Sequence, residues 1–130
     1  MKPYESSEQS LREAMEEMEW GRHRPERFLA AWKRGVKLAG EWFFDVKGSV
    51  DSATDKNQLQ PKYEVIKKNI HQISSGEKAF LVAMYQFYNA SDGKELAESI
   101  DCSTMHDIAM SLDKKRLEVI AELFINDCGW

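Results

Sequence analysis

Apolar residues recur at helical spacing from the start of the chain. A capping box of Ser6 and Gln9 opens the first predicted helix. Its apolar positions are three or four residues apart and comprise Leu11, Ala14, Met15 and Met18. The stretch WGRHRP predicts that this helix breaks at Gly21 and that Pro25 begins a second helix. The second helix has one apolar face, which comprises Phe28, Leu29, Trp32, Val36, Ala39 and Phe43.

A polar segment follows the second helix. Residues 45–61, DVKGSVDSATDKNQLQP, contain few apolar side chains and many turn formers, which predicts a long loop. A loop of that length is uncommon inside a compact domain and is often either mobile or functional. After it, apolar residues at helical spacing predict a third helix, with Tyr63, Ile66, Ile70 and Ile73 on one face.

The stretch GEKAFLVAMYQFYN, residues 76–89, is apolar on nearly every side. Ser74 and Glu77 form a capping box at its start, and NASDG predicts a turn after it. A membrane span needs about 20 apolar residues, so this shorter helix belongs at the centre of a bundle. The sequence therefore predicts an all-α protein, a single domain over residues 1–130 with about six or seven helices packed around residues 76–89.

Three shorter helices complete the predicted bundle. They cover about residues 92–100 and 104–112, and the segment from Asp113 to the C-terminal CGW. In the last two helices, the apolar positions expected to face inward are Met105, Ile108, Ala109, Leu112, Leu117, Ile120, Ala121 and Phe124.

Charge is distributed unevenly along the chain, whose net charge is −4. Residues 5–19 carry six acidic side chains against Arg12, whereas residues 22–37 carry six basic side chains against Glu26. The acidic balance disfavours direct nucleic-acid binding, and the simplest interpretation is that the acidic first helix lies against the basic second helix. Two cysteines do not make a disulfide framework and MKPYESSEQS lacks a signal pattern, so we expect a cytoplasmic protein.

Residues that could support chemistry are few. Cys102 and His106 are one helical turn apart and Cys128 could join them, but zinc needs three or four ligands and no paired CxxC is present. Buried structural cysteines explain the pattern more simply, so we predict neither a metal nor a cofactor. The sequence contains no G-x-S-x-G, HExxH or Gly-rich phosphate loop, and we predict a protein without enzymatic activity.

Aromatic and basic residues are concentrated in the N-terminal third. Trp42, Phe43 and Phe44 directly precede the polar loop, and either a core or an interface would account for them. Trp130 is open to the same two interpretations, since it either folds back on the last helix or contacts a partner. The candidate partner-binding residues are Arg22, Arg24, Arg27, Arg34, Trp42, Phe43, Phe44 and Trp130.

Three stretches carry a resemblance: GEKAFLVAMYQFYNASDGKELAES, SLDKKRLEVIAELFINDCGW and RFLAAWKRG. Across about two-thirds of the chain, the sequence resembles a group of small uncharacterised proteins encoded on bacterial plasmids, integrative elements and prophages. The shared positions are hydrophobic and turn residues, so the resemblance implies a helical fold and a mobile-element setting and transfers no site residue. Small acidic proteins from such elements often bind host proteins, including restriction or CRISPR machinery.

These features favour a non-enzymatic, acidic helical protein that binds a host protein or nucleoprotein complex. Its most specific form is a counter-defence inhibitor such as an anti-CRISPR protein, whose acidic helices would occupy a basic surface that holds DNA or guide RNA. One alternative is a DNA-associated regulator, because GKELAESIDCSTMHDIAMSL has a helix-turn-helix outline, although no Arg or Lys precedes Lys114 in its second helix. Another is self-association, in which a homodimer buries the surplus aromatic residues.

Overall fold

The computed structural model describes residues 7–130, and the predicted cap at Ser6 lies outside them. Within this range the α-helices are α1 (Ser7–Ala39), α2 (Tyr63–Asn69), α3 (Ser75–Tyr88), α4 (Ala90–Ser99), α5 (Met105–Ser111) and α6 (Lys114–Asn126). Two strands, β1 (Phe44–Val46) and β2 (Leu59–Pro61), form a small antiparallel sheet. One-turn 3-10 helices span Glu41–Phe43, Lys56–Gln58 and Ile70–Gln72. The predicted all-α bundle is confirmed.

Helix α1 is continuous over 33 residues, so the predicted break at Gly21 is wrong. Pro25 also lies inside the helix, where it lacks the N–H that would bond the Gly21 carbonyl. Gly21 is exposed and open on its side-chain face, so water can hydrogen-bond the freed carbonyl. The helix ends where Gly40 adopts a φ of 113°, a conformation that favours glycine. The acidic and basic segments therefore follow each other along one helix and do not pack together as predicted.

The central position predicted for α3 is confirmed, since seven consecutive residues from Ala79 to Tyr85 are buried. The large buried side chains of α1 that join this core are Phe28, Trp32 and Val36. Helix α1 packs against α6, and α4 packs against α3 with a close approach at Gly93. Neighbours from both halves of the chain thus cover a helix that has no polar face. Among residues 7–130, none of the helices combines the length and apolar character that a membrane crossing requires.

The segment predicted as one long loop over residues 45–61 has strands at its two ends. Strand β1 pairs with β2, so that Phe44 lies opposite Pro61. The sequence pattern missed these strands because each is only three residues long. Between them, the buried side chains of Val50 and Ala53 anchor the segment. The segment therefore contributes buried side chains to the core.

Side-chain caps set the boundaries of the C-terminal helices. Ser74 accepts a hydrogen bond from the Glu77 backbone N–H at 3.2 Å, which confirms the predicted start of α3. The turn predicted at NASDG is wrong, because Asn89 caps α4 directly by accepting from the Asp92 backbone N–H at 3.0 Å. Asp113 caps α6, as predicted.

Several residues predicted to face inward in α5 and α6 are exposed instead. They are Met105, Ala109, Ala121 and Phe124. Helix α5 has only seven residues and packs against α3, which covers one side of it. All four residues therefore border an open groove.

Candidate protein-interaction site

The N-terminal half of α1 extends beyond the body of the protein. We call residues 7–24 the arm. Every residue from Ser7 to Glu19 is exposed, and the first buried residue of α1 is Phe28. At a rise of about 1.5 Å per residue, the arm is about 27 Å long. It adds little to the core and displays its side chains to solvent.

The net charge of the chain lies in its first 19 residues. Residues 20–130 contain 16 acidic and 16 basic side chains, so the net charge of −4 comes from the first 19 residues. In the described part of that segment, the acidic residues are Glu8, Glu13, Glu16, Glu17 and Glu19, against Arg12 alone. Because these groups are exposed along one helix, they make this end of the molecule negative.

An apolar stripe runs along the arm between its acidic residues. Leu11, Met15 and Met18 are 61, 59 and 66% exposed, and their spacing of four and three residues places them on one helical face. No described part of the body covers this face, although the sequence pattern is that of a core helix. Large apolar side chains aligned on a protein surface are typical of an interaction site.

A cation–π contact and a hydrogen bond to the body lie at the base of the arm. The Arg24 guanidinium lies 4.5 Å from the centre of the Trp20 ring and donates a hydrogen bond to the Asp127 carbonyl, just beyond α6. Arg22 pairs with Glu19 at 3.1 Å and is exposed. Of the candidate arginines, Arg24 therefore joins the arm to the body, whereas Arg22 is available at the surface.

The other two candidate arginines lie farther along α1. Arg27 is exposed, and Arg34 forms an ion pair with Glu122 of α6. At 100° per residue, Arg22 points to a different side of the helix from Arg24, Arg27 and Arg34. The four arginines therefore do not form one basic patch.

The aromatic candidates are divided between core and surface. Phe43 and Phe44 are buried, which corrects the interface interpretation in favour of the core. Trp42 is 58% exposed, and its ring packs at a steep angle against Phe43 with centroids 4.9 Å apart. Trp42 and Phe43 both lie in the one-turn 3-10 helix, where successive residues are about 120° apart, so the two side chains point to different sides.

Trp130 folds back onto the body. Its ring packs against Trp32 and Tyr88, with centroid distances of 4.8 and 5.0 Å. Its Nε1 donates a hydrogen bond to Asn57 Oδ1 at 2.8 Å, and the Lys56 ammonium lies 5.1 Å from the ring centre. The C-terminal tryptophan therefore closes one side of the core and is only partly available to a partner.

A second apolar surface lies between α3, α5 and α6. It is a groove of about 460 Å³ whose lining includes Met105, Ile108, Leu117 and Phe124. Sequence reasoning missed the groove because periodicity assigns apolar positions to a face without showing whether a neighbouring helix covers that face.

The residues considered for metal binding are not brought together as a site. Cys102 is buried, and burial raises the pKa of its thiol, whereas Cys128 is exposed. His106, one turn from Cys102 in sequence, is exposed. In the part of the chain that the structure describes, no group of three His, Cys, Asp or Glu side chains could hold a metal ion.

The helix-turn-helix outline corresponds to α4 and α5, joined by residues 100–104. No Lys or Arg occurs from Glu95 to Asp113. Recognition helices depend on such donors for contacts to phosphates and base edges. The geometry therefore adds no support to the DNA-associated alternative.

Comparison of the chain with protein-family models, with curated proteins and with solved structures found no match. The resemblance to proteins of mobile elements thus stays a prediction. The functional conclusion depends on the arm and its charge.

Proposed function

We propose that this chain is a non-enzymatic protein of a mobile genetic element that uses the arm to bind a basic surface on a host protein or nucleoprotein complex. The observation that carries the proposal is the location of the net charge of −4 in the first 19 residues, largely on an exposed helix. A partner rich in Lys and Arg would be attracted to that end of the molecule and oriented by it.

Apolar contacts would supply the affinity that charge steering does not. A helix that binds in a groove uses anchors at positions i, i+4 and i+7, which is the spacing of Leu11, Met15 and Met18. Full burial of such a side chain contributes about 1.5–3 kcal/mol, and about 60% of each is still exposed. The three anchors would therefore contribute about 3–5 kcal/mol before the cost of association.

The most specific form of the proposal is a counter-defence inhibitor, such as an anti-CRISPR protein. RNA-guided nucleases hold the guide and its target in a positively charged channel. The acidic part of the arm, residues 7–19, is about 20 Å long and would compete with nucleic acid for such a surface. Added salt would weaken the competition by screening the charges.

Affinity capture from bacterial host lysates, with and without CRISPR complexes, tests the proposal. The baits are the unmodified chain, an arm variant and a body variant with the same change in charge. The arm variant carries Gln in place of Glu13 and Glu16, and the body variant carries Gln in place of the exposed Glu41 and Glu64. This design separates a local effect of the arm from an effect of total charge.

We expect a stoichiometric partner with a basic surface, bound equally well by the unmodified chain and the body variant. The arm variant should bind it at least about tenfold more weakly, and salt should weaken the binding of the unmodified chain. A partner held equally by all three baits, or no stoichiometric partner in any lysate, would contradict the proposal.

A further inference from the structure

The apolar stripe of the arm also fits a second copy of itself. We propose that two copies of the chain pair through their arms in antiparallel orientation. At 100° per residue, Leu11, Ala14, Met15 and Met18 fall within about 100° of the helix circumference, and Gly21 continues the same stripe. The residues at 11, 14, 18 and 21 follow the alternating three and four spacing by which paired helices contact each other.

Large and small residues alternate along this contact. In an antiparallel pair with its two-fold axis near residue 16, Met18 lies opposite Ala14 of the second copy and Leu11 lies opposite its Gly21. Each large side chain therefore meets a small one. Because the two-fold axis makes both copies use the same surface, every match occurs twice.

Opposite charges meet at both ends of the antiparallel contact. Parallel arms would place two acidic segments side by side along their whole length. In the antiparallel pair, Glu8 of each copy approaches Arg22 of the other on the same flank of the contact. The two Glu17 side chains approach each other near the axis, so the pair is weak and depends on protein concentration.

Pairing does not rest on the basic partner proposed above. Glu13 and Glu16 lie about 150° from the centre of the stripe, so both stay exposed in the pair. The dimer therefore displays two acidic faces while its apolar stripe is covered, so a partner that buries Leu11, Met15 and Met18 competes with pairing.

Sedimentation velocity of the full chain, over about 1 µM to 1 mM, tests the pairing in the range of weak dimers. We expect the mass to rise from the 15.0 kDa of one chain towards twice that value. Met15→Glu and Met18→Lys should each weaken the dimer at least about tenfold, because they place a charge in the apolar contact. Met110→Glu, at an exposed methionine of α5, is the matched control and should leave the dimer unchanged. Circular dichroism checks that each variant keeps its helix content.

Charge variants test the orientation. Glu8→Arg and Arg22→Glu should each weaken the dimer, and the double variant should restore it. Glu17→Gln should tighten an antiparallel pair by removing a repulsion, whereas it would weaken a parallel pair, in which Glu17 faces Arg22 of the second copy.

Three results would overturn the proposal. One is a mass of 15.0 kDa at every concentration. Another is a dimer that Phe124→Glu abolishes and Met15→Glu leaves intact, which would place the contact in the groove between α3, α5 and α6. The third is a dimer that Glu17→Gln weakens. None of these measurements involves a lysate partner, so they succeed or fail independently of the capture experiment.

Discussion

Gly93 lies where α4 approaches α3 closely, and its replacement by alanine tests that packing directly. A Cβ atom at position 93 would lie 2.6 Å from Gln86 Cγ, 2.8 Å from Gln86 Cα and 3.1 Å from Gln86 N. Carbon atoms in normal contact are about 3.5–4.0 Å apart, so the two helices would have to separate by roughly 1 Å. Two of the three obstructing atoms belong to the backbone of α3 and cannot rotate aside.

Two effects of Gly93→Ala oppose each other. Alanine gains about 1 kcal/mol of helix propensity over glycine. Overpacking a well-filled contact costs about 1–3 kcal/mol, and we expect the upper end or more because backbone atoms are in the way. The expected net loss of stability is about 2 kcal/mol, which lowers Tm by roughly 6–10 °C in a domain of this size.

Two other helical glycines provide matched controls. Gly21→Ala meets no atom within 4 Å, so it should leave stability unchanged or slightly higher. Gly35→Ala should be intermediate, because its Cβ would lie 2.6 Å from Met84 Cε and 2.8 Å from Met84 Sδ, and both atoms belong to a flexible thioether that can move. Urea unfolding followed by circular dichroism ranks the three variants. A Gly93→Ala midpoint at or above that of the unmodified chain, with an unchanged m-value, would refute the close packing of α3 and α4.

Three further predictions concern single side chains. A thiol reagent should modify the exposed Cys128 in the native chain and reach Cys102 only after unfolding, because Cys102 is buried and burial raises the pKa of its thiol. The Cys128→Ser variant should therefore have no reactive thiol in the native state. Trp32→Phe should cost about 2–4 kcal/mol in urea unfolding, because it removes the 2.9 Å hydrogen bond from Nε1 to the Leu59 carbonyl and leaves space in the core. A loss below about 0.5 kcal/mol would contradict that reasoning. The Arg116 backbone N–H, in the first turn of α6, donates a hydrogen bond to Asp113 and lowers the pKa of its carboxyl group. The contribution of this carboxylate to stability is therefore present above the unfolded pKa of 3.8. It is lost as the pH falls through the lower folded pKa. Asp113→Asn should therefore flatten the decline in stability measured from about pH 5 to pH 2, and an unchanged decline would argue against the cap.

The two halves of the chain differ in how far their fold follows from sequence. In the C-terminal half, the caps at Ser74 and Asp113 and the apolar circumference of α3 are local signals, and each was sufficient. In the N-terminal half, the local signal at Gly21 and Pro25 was overridden. Proline weakens a helix by one hydrogen bond and a steric contact, but strong helix formers on both sides can keep α1 continuous.

The candidate site could be predicted only in part. The stripe of Leu11, Met15 and Met18 has the same periodic character as the buried face of α1, yet only the latter is covered. A periodic pattern identifies a face, whereas its exposure depends on long-range packing such as that of α1 against α6. The charge asymmetry was visible in the sequence. Its location on an exposed arm was not, because Gly21 and Pro25 predicted a break in the helix that is in fact continuous.

The stability of the arm depends on what covers it. Even alanine-rich isolated helices are marginal in water below about 12–15 residues, and the 18-residue arm is only slightly longer. It is weakened further by Gly21 near its base and by the hydrogen bond lost at Pro25. It stays helical because it continues the packed half of α1, which supplies the nucleus for helix formation. The arm can therefore open while the body stays folded, but it cannot persist without the body. A partner or a second copy that buries the stripe suppresses this local opening, so hydrogen exchange of the arm amides should become slower. Body amides whose opening does not disturb the arm should keep their exchange rates. Binding at the arm therefore slows exchange in the arm alone, whereas a uniform stabilisation of the fold would slow it in both the arm and the body.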